Sequence, residues 1–412
     1  MKRKYLLGIA IVTFFFLCGL MMNCTMNHQN SGFTTKQIES LRLDSAVVLQ
    51  SSKQTVEKID LNPFLGEREF DFESLVKSLR MISLETTDES LLSNVYKIIV
   101  TDSYIYVYDD FKGGGIVIFT HVGKFVKRIP HGGGPGELYK LYDIAYDKEN
   151  DMLVAYQHPY LLFYTSAGEF VEQKKVPLGF YNFTVTPNGY IFKSLDSFGN
   201  EHLGDLRDNT LLITGKDFSL KYAGLPTLHH EANYGGYTYL YNNKGNIQIT
   251  QNYEDTIYHY NVSEHRLQAA YVMDYESKKL PSEYLEYSGR KLHNELSQND
   301  YYYFIGEYLE NFTHQVFFLR NDYKGLRSIV YRDKRTGKSF GGAEALLDLQ
   351  EIPPVAFPKS VYGDEFISLY YPDKQVSTLS KSSMVSTPDK ALVTRWKEED
   401  NPILVLFKLK DF

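Results

Sequence analysis

A repeated unit of four short strands is the feature that most limits how this chain can fold. Residues 96–129 read as strand (Lys97-Ile98-Ile99-Val100), turn, strand (Tyr104 to Tyr108), Gly-rich turn, strand (Ile116-Val117-Ile118-Phe119), turn and strand (Lys124 to Ile129). Residues 142–176 repeat that grammar, and Gly168-Glu169-Phe170 stands 45 residues after Gly123-Lys124-Phe125. Less complete copies occupy residues 183–225, 239–274 and 311–340. Apolar and aromatic runs bounded by Gly, Asn, Asp and Pro mark strands and turns. Four-stranded units recurring at this spacing indicate a β-propeller. A sixth unit is incomplete by itself: residues 360–371 supply two strands and 402–410 a third. Residues 79–84, ahead of the first complete unit, are apolar and strand-like. Pairing them beside 402–410 closes the ring and removes an open edge. The expected fold is all-β, a six-bladed β-propeller closed by pairing N- and C-terminal strands, with small helical insertions. A length of 412 residues alone would suggest two or three domains; the repeat makes it one ring.

Two stretches interrupt the strands. Residues 281–299 place Tyr284, Leu285, Leu292 and Leu296 at helix-compatible spacing after Ser282, a residue suited to an N-cap. Residues 375–400 are Ser- and Lys-rich, contain Trp396, and read as a loop followed by a short helix beginning near Pro388. Both are expected to pack against the blades, with a lid as the alternative. Tyr is unusually abundant, 34 of 412 residues. Tyr234, Tyr237, Tyr239 and Tyr241 follow Gly235-Gly236 and are weak ligand-binding candidates, a stacking surface for sugars or aromatic ligands. The alternation from 237 to 241 is equally one face of a packed strand.

The N-terminus has the layout of an export signal. Lys2, Arg3 and Lys4 precede an uncharged apolar run from Tyr5 to Met22, followed by Cys24 and a polar stretch. A cysteine directly after such a run is the lipidation site of a lipoprotein signal. Leu20, Met21, Met22 and Asn23 depart from the usual residues before that cysteine. A retained helix is the alternative, because 18 residues lie at the lower edge of a bilayer span, and simple cleavage is a third. The expected organisation is a signal segment 1–24, a linker and lead-in 25–58, and the propeller 59–412. The expected location is the cell envelope, in the periplasm or at the cell surface, with a membrane anchor.

Charge and cysteine content narrow the function. Removing residues 1–23 takes three positive charges and no negative ones, moving the formal net charge from −7 to −10. Nucleic acid is a poor partner for such a domain, since phosphates require clustered Lys and Arg. The two cysteines are Cys18 and Cys24, so the body has no internal disulfide, thiolate zinc site or cysteine nucleophile. Its stability must come from a large core or a closed topology.

Several stretches resemble the Gram-negative lipoproteins described as six-bladed β-propellers, relatives of NHL-repeat propellers. They are Ile59-Asp60-Leu61, residues 82–91, Lys97-Ile98, the loop Gly132-Gly133-Gly134-Pro135-Gly136-Glu137, and Asp400-Asn401-Pro402. The resemblance implies a six-bladed propeller tethered to a membrane, and it carries no catalytic signature.

No residue pattern names a reaction. The 132–137 loop lacks the Lys-Ser/Thr ending of a phosphate cradle, so Gly and Pro there read as a stiff crossing between blades. His131 beside it is a weak candidate for a ligand site at the channel mouth. The His229-His230 pair cannot easily turn both rings toward one ion from a strand, where neighbours face opposite ways. No catalytic residue and no metal ligand is assigned, and no cofactor is evident; a metal ion in the channel, held by residues distant in sequence, stays open. The expected function is a binding or scaffold module for a peptide, glycan or protein ligand. The alternative is an NHL-type propeller hydrolase or lyase with a central metal site.

Overall fold

A computed structural model of the chain describes residues 32–52, 56–66, 71–110, 115–194, 199–227, 240–243, 246–287, 289–345, 354–371 and 385–412. Cys24, Tyr234, Tyr237 and Tyr239 lie outside these residues, as do Cys18 and the His229-His230 pair.

Three strands precede the first complete blade: β1 (Val47–Leu49), β2 (Glu57–Asp60) and β3 (Val76–Ser83). Blade 1 follows as β4 (Val95–Val100), β5 (Tyr104–Asp109), β6 (Gly115–Thr120) and β7 (Phe125–Arg128). Blade 2 is β8 (Asp143–Asp147), β9 (Met152–Gln157), β10 (Tyr160–Thr165) and β11 (Phe170–Lys175). Blade 3 comprises β12 (Asn182–Thr186), β13 (Gly189–Lys193), β14 (Asn209–Gly215) and β15 (Leu220–Pro226). Blade 4 contains β16 (Leu240–Asn243), β17 (Asn246–Ile249), β18 (Thr256–Asn261) and β19 (Arg266–Asp274). Blade 5 is built from β20 (Tyr308–Glu310), β21 (His314–Asn321), β22 (Leu326–Asp333) and β23 (Ser339–Ala345). Blade 6 takes β24 (Ser360–Tyr362), β25 (Glu365–Tyr370) and β26 (Ile403–Leu409) from the C-terminal part of the chain, and β3 completes it. The fold is the expected six-bladed propeller. β26 and β3 pair antiparallel from Ile403↔Ser83 to Leu409↔Val76, joining the two ends of the chain.

Six apolar clusters fill the six gaps between neighbouring blades, because successive strand residues face opposite sides. In β5, Ile105 and Val107 face blade 6, while Tyr106 and Tyr108 face blade 2. Much of the tyrosine excess is spent here: Tyr106, Tyr156, Tyr164, Tyr260 and Tyr331 are fully buried. A buried phenol needs a partner. Tyr106 donates to the Ser166 carbonyl at 2.9 Å and Tyr108 to that of Leu141 at 2.5 Å, pinning blade 1 to blade 2. The Gly-rich loop is part of the same joint. Gly134 N–H donates to the Glu137 carboxylate at 2.7 Å, and a Cβ at Gly132 would lie 2.1 Å from that carboxylate. Gly136 has φ +75°, and a Cβ there would meet the Phe170 ring of blade 2 at 2.6 Å.

The lead-in packs on the rim. Phe33 sits against His202 and His158, with ring centroids 5.4 and 6.4 Å apart, at blades 2 and 3. Helix α1 (Thr35–Ser40) follows, capped by Thr34. β1 then adds to the outer edge of blade 3, parallel to β15, and β2 to that of blade 4, parallel to β19. Helix α2 (Phe72–Leu75) leads into β3. The described residues between 32 and 83 therefore lie along blades 3, 4 and 5 before β3 closes blade 6.

Antiparallel pairing inside each blade sends its connections alternately to two faces of the ring. On one face the turns are short, the longest being residues 334–338. The other, the insertion face, holds the long connections among the described residues, including the described parts of those joining β13 to β14 (194–208), β19 to β20 (275–307) and β25 to β26 (371–402). In 275–307, a 3₁₀ turn (Ser282–Glu286) precedes helix α3 (Gly289–Gln298). Ser282 lies inside the turn and does not cap it. Leu292 and Leu296 are buried with Tyr253 and Tyr303, so this insertion packs against the blades. In 371–402, helix α4 (Thr387–Arg395) is capped by Ser386, whose side chain accepts from Asp389 N–H. Trp396 Nε1 donates to the Asn401 carbonyl at 2.9 Å.

Asn401 ties this insertion to the closing strand's exit. Its Nδ2 donates to the Glu85 and Ser90 carbonyls, both at 3.0 Å, and its Oδ1 accepts from Leu92 N–H at 2.7 Å. Residues 82–91 and Asp400-Asn401-Pro402 are thus two halves of one joint. Deleting residues 402–412 removes the fully buried Leu404, Val405, Leu406 and Phe407, each contributing roughly 1.5–3 kcal/mol by burial. That loss is comparable to the whole stability of a domain, about 5–15 kcal/mol. The truncated chain should lose cooperative melting; a calorimetric transition unchanged from the full chain would refute closure by this pair. The milder Asn401→Ala should cost about 1–3 kcal/mol in urea unfolding, since it strands buried backbone groups.

Candidate functional site

The first strand of each blade is innermost: β4 contacts β24 and β8, β8 contacts β12, and β12 contacts β16. Register aligns the start of these strands. Lys97 stands opposite Tyr108, Asp143 opposite Tyr156, and Asn182 opposite Lys193. These three equivalent residues form a polar chain across blades 1 to 3. Lys97 Nζ donates to Asp143 Oδ1 at 2.7 Å, while Asp143 Oδ2 accepts from Phe183 N–H at 3.0 Å and Asn182 Nδ2 at 3.4 Å. Asp143 is fully buried, so its charge is held by hydrogen bonds and an ion pair rather than by water.

One residue earlier, each strand carries a tyrosine: Tyr96, Tyr142 and Tyr181. All three are half-buried at the insertion-face end of their strands, and Tyr96 and Tyr142 pack on Tyr108 and Tyr156, with ring centroids 5.0 and 5.5 Å apart. Tyr142 and Tyr181 meet edge to face, 6.2 Å between centroids with planes at 78°, forming an aromatic corner. Lys140 Nζ lies 5.1 Å from the Tyr142 centroid, and its hydrogen bond to Tyr142 raises the ammonium pKa. Tyr139 and Tyr371 add exposed aromatic surface on the same face, 56% and 44% exposed.

The opposing position of the second strand holds a different group in blade 3. Tyr108 and Tyr156 fill it in blades 1 and 2, but Lys193 fills it here. Its Nζ is wholly buried and donates to Thr210 Oγ1 and Gln251 Oε1, both at 2.9 Å. Gln251 Nε2 donates to Glu254 at 2.5 Å, and Tyr258 donates to the same carboxylate. Burial pulls the Lys193 pKa down to about 7, against the raising influence of Glu254. A lysine titrating near neutrality is a functional-site signal, and here it sits between blades 3 and 4.

Of the residues singled out from sequence, His131 is exposed on the insertion face, and its backbone bridges to Leu138 at the neck of the Gly-rich loop. Tyr241 belongs to the inner strand of blade 4. Its hydroxyl donates to the Val361 carbonyl of blade 6 at 2.7 Å, so it spans past the three-residue inner strand of blade 5. The structure does not bring His131 and Tyr241 together in any described contact. The Tyr96, Tyr142 and Tyr181 set was missed in sequence, although superposing the repeat units on their first strands exposes it. Among the described residues, no group of three or more His, Cys, Asp or Glu side chains is placed to hold a metal ion.

A six-bladed ring closed by strands from both parts of the chain defines the architectural class. The chain belongs to DUF4934, a domain family of unknown function whose profile matches residues 56–408. The fold is shared with the crystal structure of a candidate exported protein from Bacteroides fragilis NCTC 9343, at TM-score 0.70 and 18% identity, covering 86% of this chain and 100% of that one. BamB from Moraxella catarrhalis is more distant, at TM-score 0.37 and 10% identity over 71% of this chain and 75% of that one. U3-55K matches at TM-score 0.36 and 10% identity over 80% of this chain and 98% of that one. No curated protein matches the chain.

Lys193 gives the domain a pH signature. The unfolded chain keeps this proton up to the ordinary lysine value of 10.5, whereas the folded chain releases it near 7. Between those values the unfolded state binds more protons, so stability rises with pH. Below 7 both states are protonated and the contribution is flat. Relative to Lys193→Met, the wild type should gain about 1.4 kcal/mol per pH unit between 7 and 10. Urea midpoints measured across that range check it, and parallel pH profiles for the two proteins would sink it.

Proposed function

We propose that this chain is an exported, envelope-tethered propeller that binds its ligand through the insertion face as a non-enzymatic binding or scaffold module. One observation carries the reading: the half-buried tyrosines, the exposed Tyr139 and Lys140, and the long connections among the described residues share one face, while the opposite face has short turns. Binding surfaces are typically built on loops held by a rigid frame. The Bacteroides fragilis protein that shares the fold is described as exported, which agrees with the signal-like N-terminus. Fold alone assigns no ligand.

Thermal-shift screening with envelope-derived peptide and glycan fractions, followed by hydrogen exchange with any stabilising fraction, tests the binding face. Protection should appear in residues 129–142 and 176–181. Protection confined to the opposite turns, residues 121–124 and 166–169, would overturn the assignment of the face, and turnover of a screened compound would overturn the non-enzymatic reading. The anchor is tested separately: Cys24→Ala should move the protein from the membrane pellet to the soluble fraction. Continued pelleting in high salt would favour a retained N-terminal helix.

A further inference from the structure

We infer that the notch holding Phe33 is an acid-sensitive clasp that releases the start of the lead-in from the ring. Phe33 is 8% exposed and lies between two histidines from different blades, His158 in the β9–β10 turn and His202 in the β13–β14 connection. The hydrogen bond of His202 assigns its neutral form. The Pro177 carbonyl only accepts, so His202 Nε2, 2.8 Å away, carries the hydrogen and Nδ1 holds the lone pair. That Nδ1 is buried and has no hydrogen-bond partner among the described residues. A proton added there makes a buried cation whose new N–H meets no acceptor, which is costly. His158 Nδ1 lies 3.0 Å from the Tyr156 hydroxyl.

The charged and titratable groups around the notch favour release in acid. β11 contributes Lys175, whose Nζ lies 5.3 Å from the Phe33 ring centroid, and β9 contributes Tyr156, kept neutral by burial. Glu201 beside His202 opposes release, while Lys36 and Glu39 of α1 are exposed. Burial holds both histidines below the ordinary value of 6.5, outweighing Glu201 and the Pro177 carbonyl at His202, and Lys175 lowers His158 further. Undocked, the same rings take up protons at their ordinary value. Docking is therefore undisturbed above 6.5 and weakens as pH falls below it. The next fixed point is Leu41, fully buried, whose carbonyl accepts from Leu220 N–H at 2.8 Å. Release lengthens the path from Cys24 to the ring from 8 residue steps, ending at Gly32, to 17, ending at Leu41. The reach grows from roughly 30 to roughly 60 Å. Under the anchoring proposed above, acid lets the ring stand farther from its membrane.

Hydrogen exchange of the full chain, corrected for the intrinsic effect of pH, tests the clasp. Between about pH 7.5 and about pH 5, protection of residues 33–41 should fall about tenfold or more, while β9 and β10 keep theirs. Phe33→Ala should show the low protection already at the higher pH. A double variant, His158→Gln with His202→Gln, cannot gain charge and should keep the lead-in protected at the lower pH. Wild-type protection of residues 33–41 unchanged in acid overturns the inference, as does an acid loss of equal size in the double variant. If the double variant fails to dock at the higher pH, NMR titration of the two imidazoles in the wild type decides. Both should titrate below 6.5, and values at or above it overturn the inference. The anchor itself is judged separately, by the fractionation of Cys24→Ala.

Discussion

The antiparallel pairing of β26 with β3 is the interaction on which the rest of the ring depends. Each apolar cluster is shared by two neighbouring blades, so no blade buries both faces by itself. A row of six such units would leave two apolar faces and two sets of contacts unmade. Strand sharing between the chain ends brings blade 6 against blade 1, where Ile82, Leu404 and Leu406 pack with Ile98 and Ile105. The joint is backed by Asn401, whose side chain satisfies three backbone groups of residues 85–92. With no cysteine after Cys24, this noncovalent joint has the role a disulfide could otherwise fill. The lead-in acts with it, because its β1 and β2 cover the outer edges of blades 3 and 4 on the way to closure.

A closed ring also separates stability from variation. The short turns and inter-blade tyrosines hold the frame, while the insertion face accepts long connections without altering the strand ladders. Equivalent positions at the mouth can then diverge. Lys97, Asp143 and Asn182 occupy one repeat position yet combine as donor, acceptor and donor in a single chain of hydrogen bonds. In the facing position, blades 1 and 2 use tyrosine, and blade 3 uses a lysine whose burial brings its titration to neutrality. Such departures within a repeat are where a propeller acquires individual chemistry.

The parts legible in sequence were those written in local pattern. Alternating apolar residues and turn chemistry marked the blades, and a sixth unit lacking one strand pointed to residues 79–84 for closure. β1 and β2 were not legible, because Val47–Leu49 and Glu57–Asp60 are short and join their blades through parallel backbone hydrogen bonds that impose little side-chain pattern. Ser282 has a capping residue's chemistry, yet the chain begins its turn one residue earlier. The shared repeat position of Tyr96, Tyr142 and Tyr181 becomes visible only when repeats are superposed by register. Lys193 could not be read at all, since its surroundings are supplied by Thr210 and by Gln251 of the next blade.

The lead-in adds a geometric relation between anchor and insertion face. Phe33 is seated by His158 and His202, both in connections of the insertion face, and Lys175 Nζ lies 5.3 Å from its ring centroid. Lys175 also donates to the Gly32 carbonyl at 3.4 Å. The described chain therefore starts on the same face as Tyr142 and Tyr181. Eight residue steps lead from Cys24 to Gly32, and a chain reaches at most about 3.5 Å per step. An anchor at Cys24 would hold that rim within roughly 30 Å of its membrane. Under the proposed anchoring, the insertion face's orientation follows from where Phe33 docks.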